Sequence, residues 1–111
     1  MNLYMQTTLT LRKPYAFISE EEVEQISAEI LSCPGFYSDE LPIEFHEYFD
    51  HYEGYIGAGA DKPTILGIQD VMANAVRELS NKFPKIEFVL QHEITGDHLT
   101  ASVEMRFKKG E

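Results

Sequence analysis

The sequence predicts an α+β fold, a two-layer sandwich in which an antiparallel sheet of three to four strands packs against two helices, all in one domain spanning residues 1–111. Three observations carry this reading. Residues 86–107 alternate apolar and polar on both sides of a turn-forming Gly96-Asp97, the pattern of a hairpin with one buried face. Residues 2–12 alternate in the same way. Two further stretches repeat apolar residues at helical spacing. The order strand, helix, long connection, helix, strand, strand makes a sheet covered by helices.

In residues 2–12, Leu3, Met5, Thr7, Leu9 and Leu11 fall on one side of a strand and Tyr4, Gln6, Thr8, Thr10 and Arg12 on the other. Pro14 and Tyr15 break it. Ser19-Glu20-Glu21-Glu22 is a capping box: the Ser hydroxyl accepts from the amide three residues on, and Glu22 reaches back. Val23, Ile26, Ile30 and Leu31 then mark a helix to about Ser32, with its acidic first turn suited to the helix dipole. Glu24 and Glu29 have no cation four residues away. Cys33-Pro34-Gly35 ends the helix.

Residues 36–61 interleave Phe36, Tyr37, Phe45, Tyr48, Phe49, Tyr52 and Tyr55 with acids and two histidines. Leu41-Pro42-Ile43 and Gly54-Tyr55-Ile56-Gly57 each fit a short strand, while Glu44 to Tyr52 fits one or two helical turns. Pattern does not choose between them. The phenylalanines suit the core under a loop, the tyrosines less so, and the glycines suit a flexible or tightly turned connector. Pro63-Thr64 opens the second helix, with Thr64 as N-cap and Ile68, Val71, Met72, Ala75 and Leu79 as its apolar stripe. Pro84 stops it near Phe83. In the hairpin, Ile86, Phe88, Leu90 and His92 share one face, and Leu99, Ala101, Val103, Met105 and Phe107 share the matching one.

No run of about 18 apolar residues suggests a membrane span. The first residues lack a basic leader followed by an unbroken apolar stretch, so no secretory signal is expected. Cys33 is the single cysteine, which suits a reducing cytoplasm and a small buried or half-buried thiol. A cytoplasmic protein, in a bacterial host, is the expectation.

Few classes of chemistry fit. His46 and His51 are five apart, so they miss the one-face spacing of a His-Glu-x-x-His zinc site. His46 and Asp50 can share a helical face and bind a metal weakly, which leaves a metal- or small-molecule-binding protein using His46, Asp50 and His51 as an alternative. Gly54, Gly57 and Gly59 lack the Lys-Ser/Thr of a phosphate loop and lie in the most acidic part of the chain. No carboxylate pair is singled out for acid/base work. The basic residues Arg77, Lys82, Lys85, Arg106, Lys108 and Lys109 are offset by acids, so no nucleic-acid stripe is present. No catalytic residue, cofactor or dedicated metal ligand is assigned, and no enzymatic activity is expected.

Charge is the informative feature. The formal net charge is −10. Residues 14–61 hold twelve acids and no Lys or Arg, whereas residues 62–111 hold seven of each sign. A surface of that sign repels nucleic acid and anionic membrane and attracts basic protein. The expected partner-binding residues are Glu20, Glu21, Glu24, Tyr37, Asp39, Glu40, Glu44, Glu47, Tyr48, Asp50, Tyr52, Glu53 and Tyr55. Carboxylates would stand in for phosphates, and tyrosines would supply anchoring contacts. A self-associating protein that pairs through an open sheet edge, forming a homodimer, is a second alternative.

The segment from Leu79 (LSNKFPKIEFVLQHEITGD, closing with FKKG) resembles the closing helix-to-hairpin of small ferredoxin-like proteins of phages and plasmids, including the YubB type. By size and charge the chain also resembles phage-encoded inhibitors of host defence, such as anti-CRISPR proteins that mimic DNA. That likeness implies a phage- or mobile-element-encoded protein that blocks a basic, nucleic-acid-binding nuclease complex.

Overall fold

The computed structural model describes residues 3–14, 16–30, 32, 36–38, 41–96, 98 and 100–108. Five antiparallel strands form the main sheet: β1 (Leu3–Arg12), β4 (Phe45–Glu47), β5 (His51–Ala60), β6 (Glu87–Thr95) and β7 (Thr100–Phe107). Their order across the sheet is β4-β5-β1-β6-β7. A separate two-stranded ribbon joins β2 (Tyr37–Ser38) to β3 (Leu41–Pro42). The helices are α1 (Glu20–Ile30) and α2 (Lys62–Lys82). The α+β class therefore holds, with more strands than the three to four expected.

The expected alternation places β1 at the centre. It pairs along its whole length with β5, from Leu3 opposite Ala60 to Arg12 opposite His51. Its other edge pairs with β6, from Tyr4 opposite Thr95 to Arg12 opposite Glu87. Met5, Leu9 and Leu11 of β1 and Phe88 and Leu90 of β6 are fully buried on one side of the sheet. α2 lies against β1, β5, β6 and β7 there, burying Ile65, Met72, Val76 and Leu79. α1 adds Val23, Ile26 and Ile30 to the same core. Among the described residues, no helix is long and apolar enough to cross a membrane.

The short strand that Gly54-Tyr55-Ile56-Gly57 fits is the middle of the longer β5. Its glycines are not a connector but part of a ten-residue strand. Gly54 is buried where Ile43 and Phe45 cross it: a Cβ there would sit 2.8 Å from Ile43 Cγ1 and 3.0 Å from Phe45 Cδ1. The missing side chain is what lets this strand pass under its neighbours. Residues 44–52 form no helical turn; they make β4 and a tight turn into β5. Leu41-Pro42 does pair as a short strand.

Helix boundaries shift slightly. The capping box stands, with Ser19 Oγ accepting from the Glu22 amide at 3.2 Å and the Ser19 amide donating to Glu22 Oε1 at 3.1 Å. α1 ends at Ile30 rather than Ser32, whose hydroxyl instead donates to the Glu29 carbonyl at 2.8 Å. The N-cap of α2 is Asp61, not Thr64: the Asp61 carboxylate accepts from the Thr64 amide at 3.0 Å, and Pro63 follows in the first turn. A carboxylate is as good a cap as a hydroxyl, and Pro63 suits the first helical positions. Val71 points to solvent, and Ile65 and Val76 take its place in the buried stripe. Phe83 caps the other end, its amide donating to the Leu79 carbonyl at 2.9 Å. Of the aromatics assigned to the core, Phe36 is fully buried and Phe45 partly so, whereas Phe49 is exposed. Leu31, Cys33, Pro34, Gly35, Asp97 and Leu99 lie outside the described residues.

Candidate functional site

The sheet order separates the charges. β4 and β5, drawn from the acid-rich stretch, form one side of the sheet, and β6 and β7, drawn from the balanced part, form the other. Eight of the thirteen residues expected from the sequence lie at the β4–β5 side, four on each face.

On the face away from α2, the turn between β4 and β5 builds a linked cluster. The Tyr48 amide donates to the His51 carbonyl at 2.9 Å, closing the turn with Phe49 and Asp50 at its tip. His51 Nδ1 lies 2.6 Å from Asp50 Oδ1, and Nε2 lies 2.9 Å from Glu53 Oε1. The Tyr48 ring stacks on the imidazole, centroids 4.9 Å apart and planes 4° from parallel. The Tyr48 and Tyr55 hydroxyls are 3.0 Å apart, and the Tyr55 hydroxyl also donates to Glu53. The hydrogen bond to Asp50, helped by Glu53, raises the His51 pKa, and the same bond lowers that of Asp50. The bond to Glu53 raises that of Tyr55. The two carboxylates thus favour the charged form of His51, and even with the ring protonated the trio keeps a net negative charge.

On the face toward the helices, Glu20, Val23 and Glu24 of α1 meet Phe45, Glu47 and Tyr52 around a shallow hollow. Tyr52 is only 8% exposed, so its ring belongs to the core and its hydroxyl donates to Glu47 at 2.8 Å. That bond raises the Tyr52 pKa.

At the tip between the faces, Phe49 is 89% exposed and Phe17 67% exposed. The rings meet edge to face at 5.9 Å. They share a second hollow with Arg12, Lys13, Ala16 and Asp50. Sequence reasoning assigned neither ring to the site. One signal was available for Phe17: the adjacent Ile18 takes the buried position just before the Ser19 cap, which leaves Phe17 to face outward.

The thirteen expected partner-binding residues divide plainly. Glu20, Glu24, Glu47 and Tyr52 line the helix-side hollow, and Tyr48, Asp50, Glu53 and Tyr55 make the cluster on the other face. Glu21 and Glu44 are exposed. Asp39 and Glu40 lie outside the described residues, as does the side chain of Tyr37 in β2. Three other acids of the stretch are engaged internally. Glu22 pairs with Lys13 at 3.0 Å, Glu29 with Lys82 of α2 at 2.8 Å, and Asp61 caps α2. Burial opposes ionisation of Glu22, but the Ser19 amide and Lys13 together bring its pKa below the usual value. His46, across from Glu53, stands 6.1 Å from the Tyr55 ring. Among the described residues no three His, Cys, Asp or Glu side chains converge as a metal site.

Comparison with protein-family models, curated proteins and solved structures returns no match.

Proposed function

We propose that the chain is a non-enzymatic interaction protein whose β4–β5 side engages a basic protein surface, one that otherwise grips nucleic acid. The observation that supports this most is the exposed Phe17–Phe49 pair, which stands with Asp50, Arg12 and Lys13 at the tip of the acid-rich β4–β5 side. Exposed aromatic rings inside a charged rim are the usual make-up of a binding hot spot. Glu20, Glu24 and Glu47 on one face and Asp50 and Glu53 on the other supply the negative potential, in the role of phosphates. The helices, packed in a sandwich on one face of the sheet, leave the Tyr48–Tyr55 face open to a partner. A phage- or mobile-element-encoded inhibitor acting on a CRISPR-Cas effector, as a DNA mimic, is the partner class that size and charge favour.

The test is calorimetric titration into a purified CRISPR-Cas effector, with and without target DNA. Binding is expected to weaken with ionic strength and to compete with DNA. Reversal of Glu44, Glu47, Asp50 and Glu53 to Lys is expected to abolish it. Affinity that survives both the reversals and added salt would sink the reading.

A further inference from the structure

The opposite edge of the sheet has a different character. β4 is a three-residue edge strand, too short to template another chain, but β7 is eight residues long and, among the described residues, pairs with β6 alone. A long open edge normally carries protection. Here the charges within the strand lie on one face only. Glu104 and Arg106 sit on the face away from α2 and are tied to each other at 3.6 Å, with Glu87 3.7 Å from Arg106. The face toward α2 carries no charge within the strand: it presents Ala101, Val103, Met105 and Phe107. Their neighbours on β6, such as His92 and Leu90, are fully buried, yet Val103 is 38% exposed. Arg77 of α2 lies over the Phe107 ring, 5.7 Å from its centroid, but at Val103 the apolar layer reaches the open edge uncovered.

We propose that β7 is a self-association edge, and that its occupant is the β7 of a second copy, antiparallel, about a two-fold axis through Val103. Such an axis keeps each side chain on its own face only when paired residue numbers have the same parity. Centred on Val103, Val103 faces Val103 of the second copy, and Met105 faces Ala101. On the other face Glu104 lies opposite Ser102 and Arg106 opposite Thr100. No like charges stand directly opposite, whereas an axis through Glu104 would oppose two carboxylates. Charge favours a second copy here and not at the other edge, because the acid-rich β4–β5 side lies at the far end of the strand order. The product is one continuous sheet with both acidic sides outward. This does not depend on the proposed partner: a chain with no basic partner at all would still dimerise.

Sedimentation equilibrium of the full chain at high micromolar concentration is expected to give twice the 12.7 kDa mass. Val103→Lys, at a position already open to solvent, is expected to give the single mass with an unchanged circular dichroism spectrum. Wild-type protein that stays monomeric, or a dimer that persists in folded Val103→Lys, overturns the proposal. A cross-link settles it if that variant fails to fold. In a Cys33→Ser background with oxidised glutathione, Val103→Cys is expected to form a disulfide-linked dimer, since directly opposed residues on paired strands lie within disulfide reach. Glu104→Cys, whose counterpart is Ser102, is expected not to. Equal linkage of both, or of neither, overturns the register.

Discussion

The Thr7 hydroxyl oxygen lies 2.8 Å from Nδ1 of His92, with both residues buried between the sheet and α2. The Thr7 hydroxyl also lies 3.7 Å from Met72 Sδ, and the His92 Nε2 atom is buried without a hydrogen-bond partner among the described residues. Burial without a counter-charge lowers the His92 pKa. The folded state then refuses a proton that the unfolded chain accepts. Stability from this site is complete above the unfolded value of about 6.5 and declines as pH falls below it, by up to about 1.4 kcal/mol per pH unit. Denaturant midpoints of wild type at about pH 7.5 and 5.5 are expected to differ in that direction. His92→Leu is expected to remove most of the difference, and an undiminished drop in that variant would refute the assignment.

His51 has the opposite sign. Its pKa is raised by Asp50 and then Glu53, so the folded state holds its proton more tightly than the unfolded chain. That contribution is present below about pH 6.5 and is lost as pH rises through the raised value. In a His92→Leu background, His51→Gln is expected to flatten the remaining loss of stability between about pH 6 and 8. The effect is modest because the pair is close to solvent. A midpoint difference unaffected by His51→Gln would show that the two carboxylates do not stabilise the ring.

Two glycines of β5 separate a rigid contact from a yielding one. A Cβ at Gly54 meets Ile43, which is buried and has nowhere to go. Gly54→Ala is therefore expected to cost about 1–3 kcal/mol, the usual range for overpacking. A Cβ at Gly57 meets the hydroxyl end of Tyr4, an exposed ring that can swing into solvent. Gly57→Ala is expected to change stability by less than about 0.5 kcal/mol. Urea melts of the two variants give the comparison, and equal costs would mean that Tyr4 is as fixed as Ile43.

Phe49 makes its ring contact with Phe17, itself exposed, rather than with the core. Phe49→Ser is expected to leave the thermal midpoint within a degree or two while weakening partner binding by roughly tenfold or more, as loss of a hot-spot ring does. Binding measured by calorimetry alongside thermal melts separates the two effects. A stability loss equal to that of a core phenylalanine would return Phe49 to a structural role.

The parts of the fold with clean periodicity could be read directly. β1 and β6 alternate without interruption, and the Ser19–Glu22 box marks the start of α1 by chemistry that is local to four residues. β5 could be read only as a short strand at Gly54–Gly57 and not at its full length, because its buried face includes Gly54, whose partner in packing is Ile43. A residue that contributes to the core by being absent leaves no apolar signal. For the same reason of distance, the union of Glu24 with Glu47 and the pairing of Glu29 with Lys82 depend on how helices and strands dock, which no local window contains. The acid-rich stretch itself was plain from composition; that three of its carboxylates serve the fold rather than a surface was not.

The central position of β1 has a kinetic side. Its two neighbours end at Ala60 and Thr95, so β1 must wait for β5 before one edge is paired and for β6 before the other is. Contacts of such long sequence separation slow folding. A nascent chain released or stalled before β6 emerges would carry a bare Leu- and Met-lined ribbon, and chaperone capture of such fragments is the expected fate.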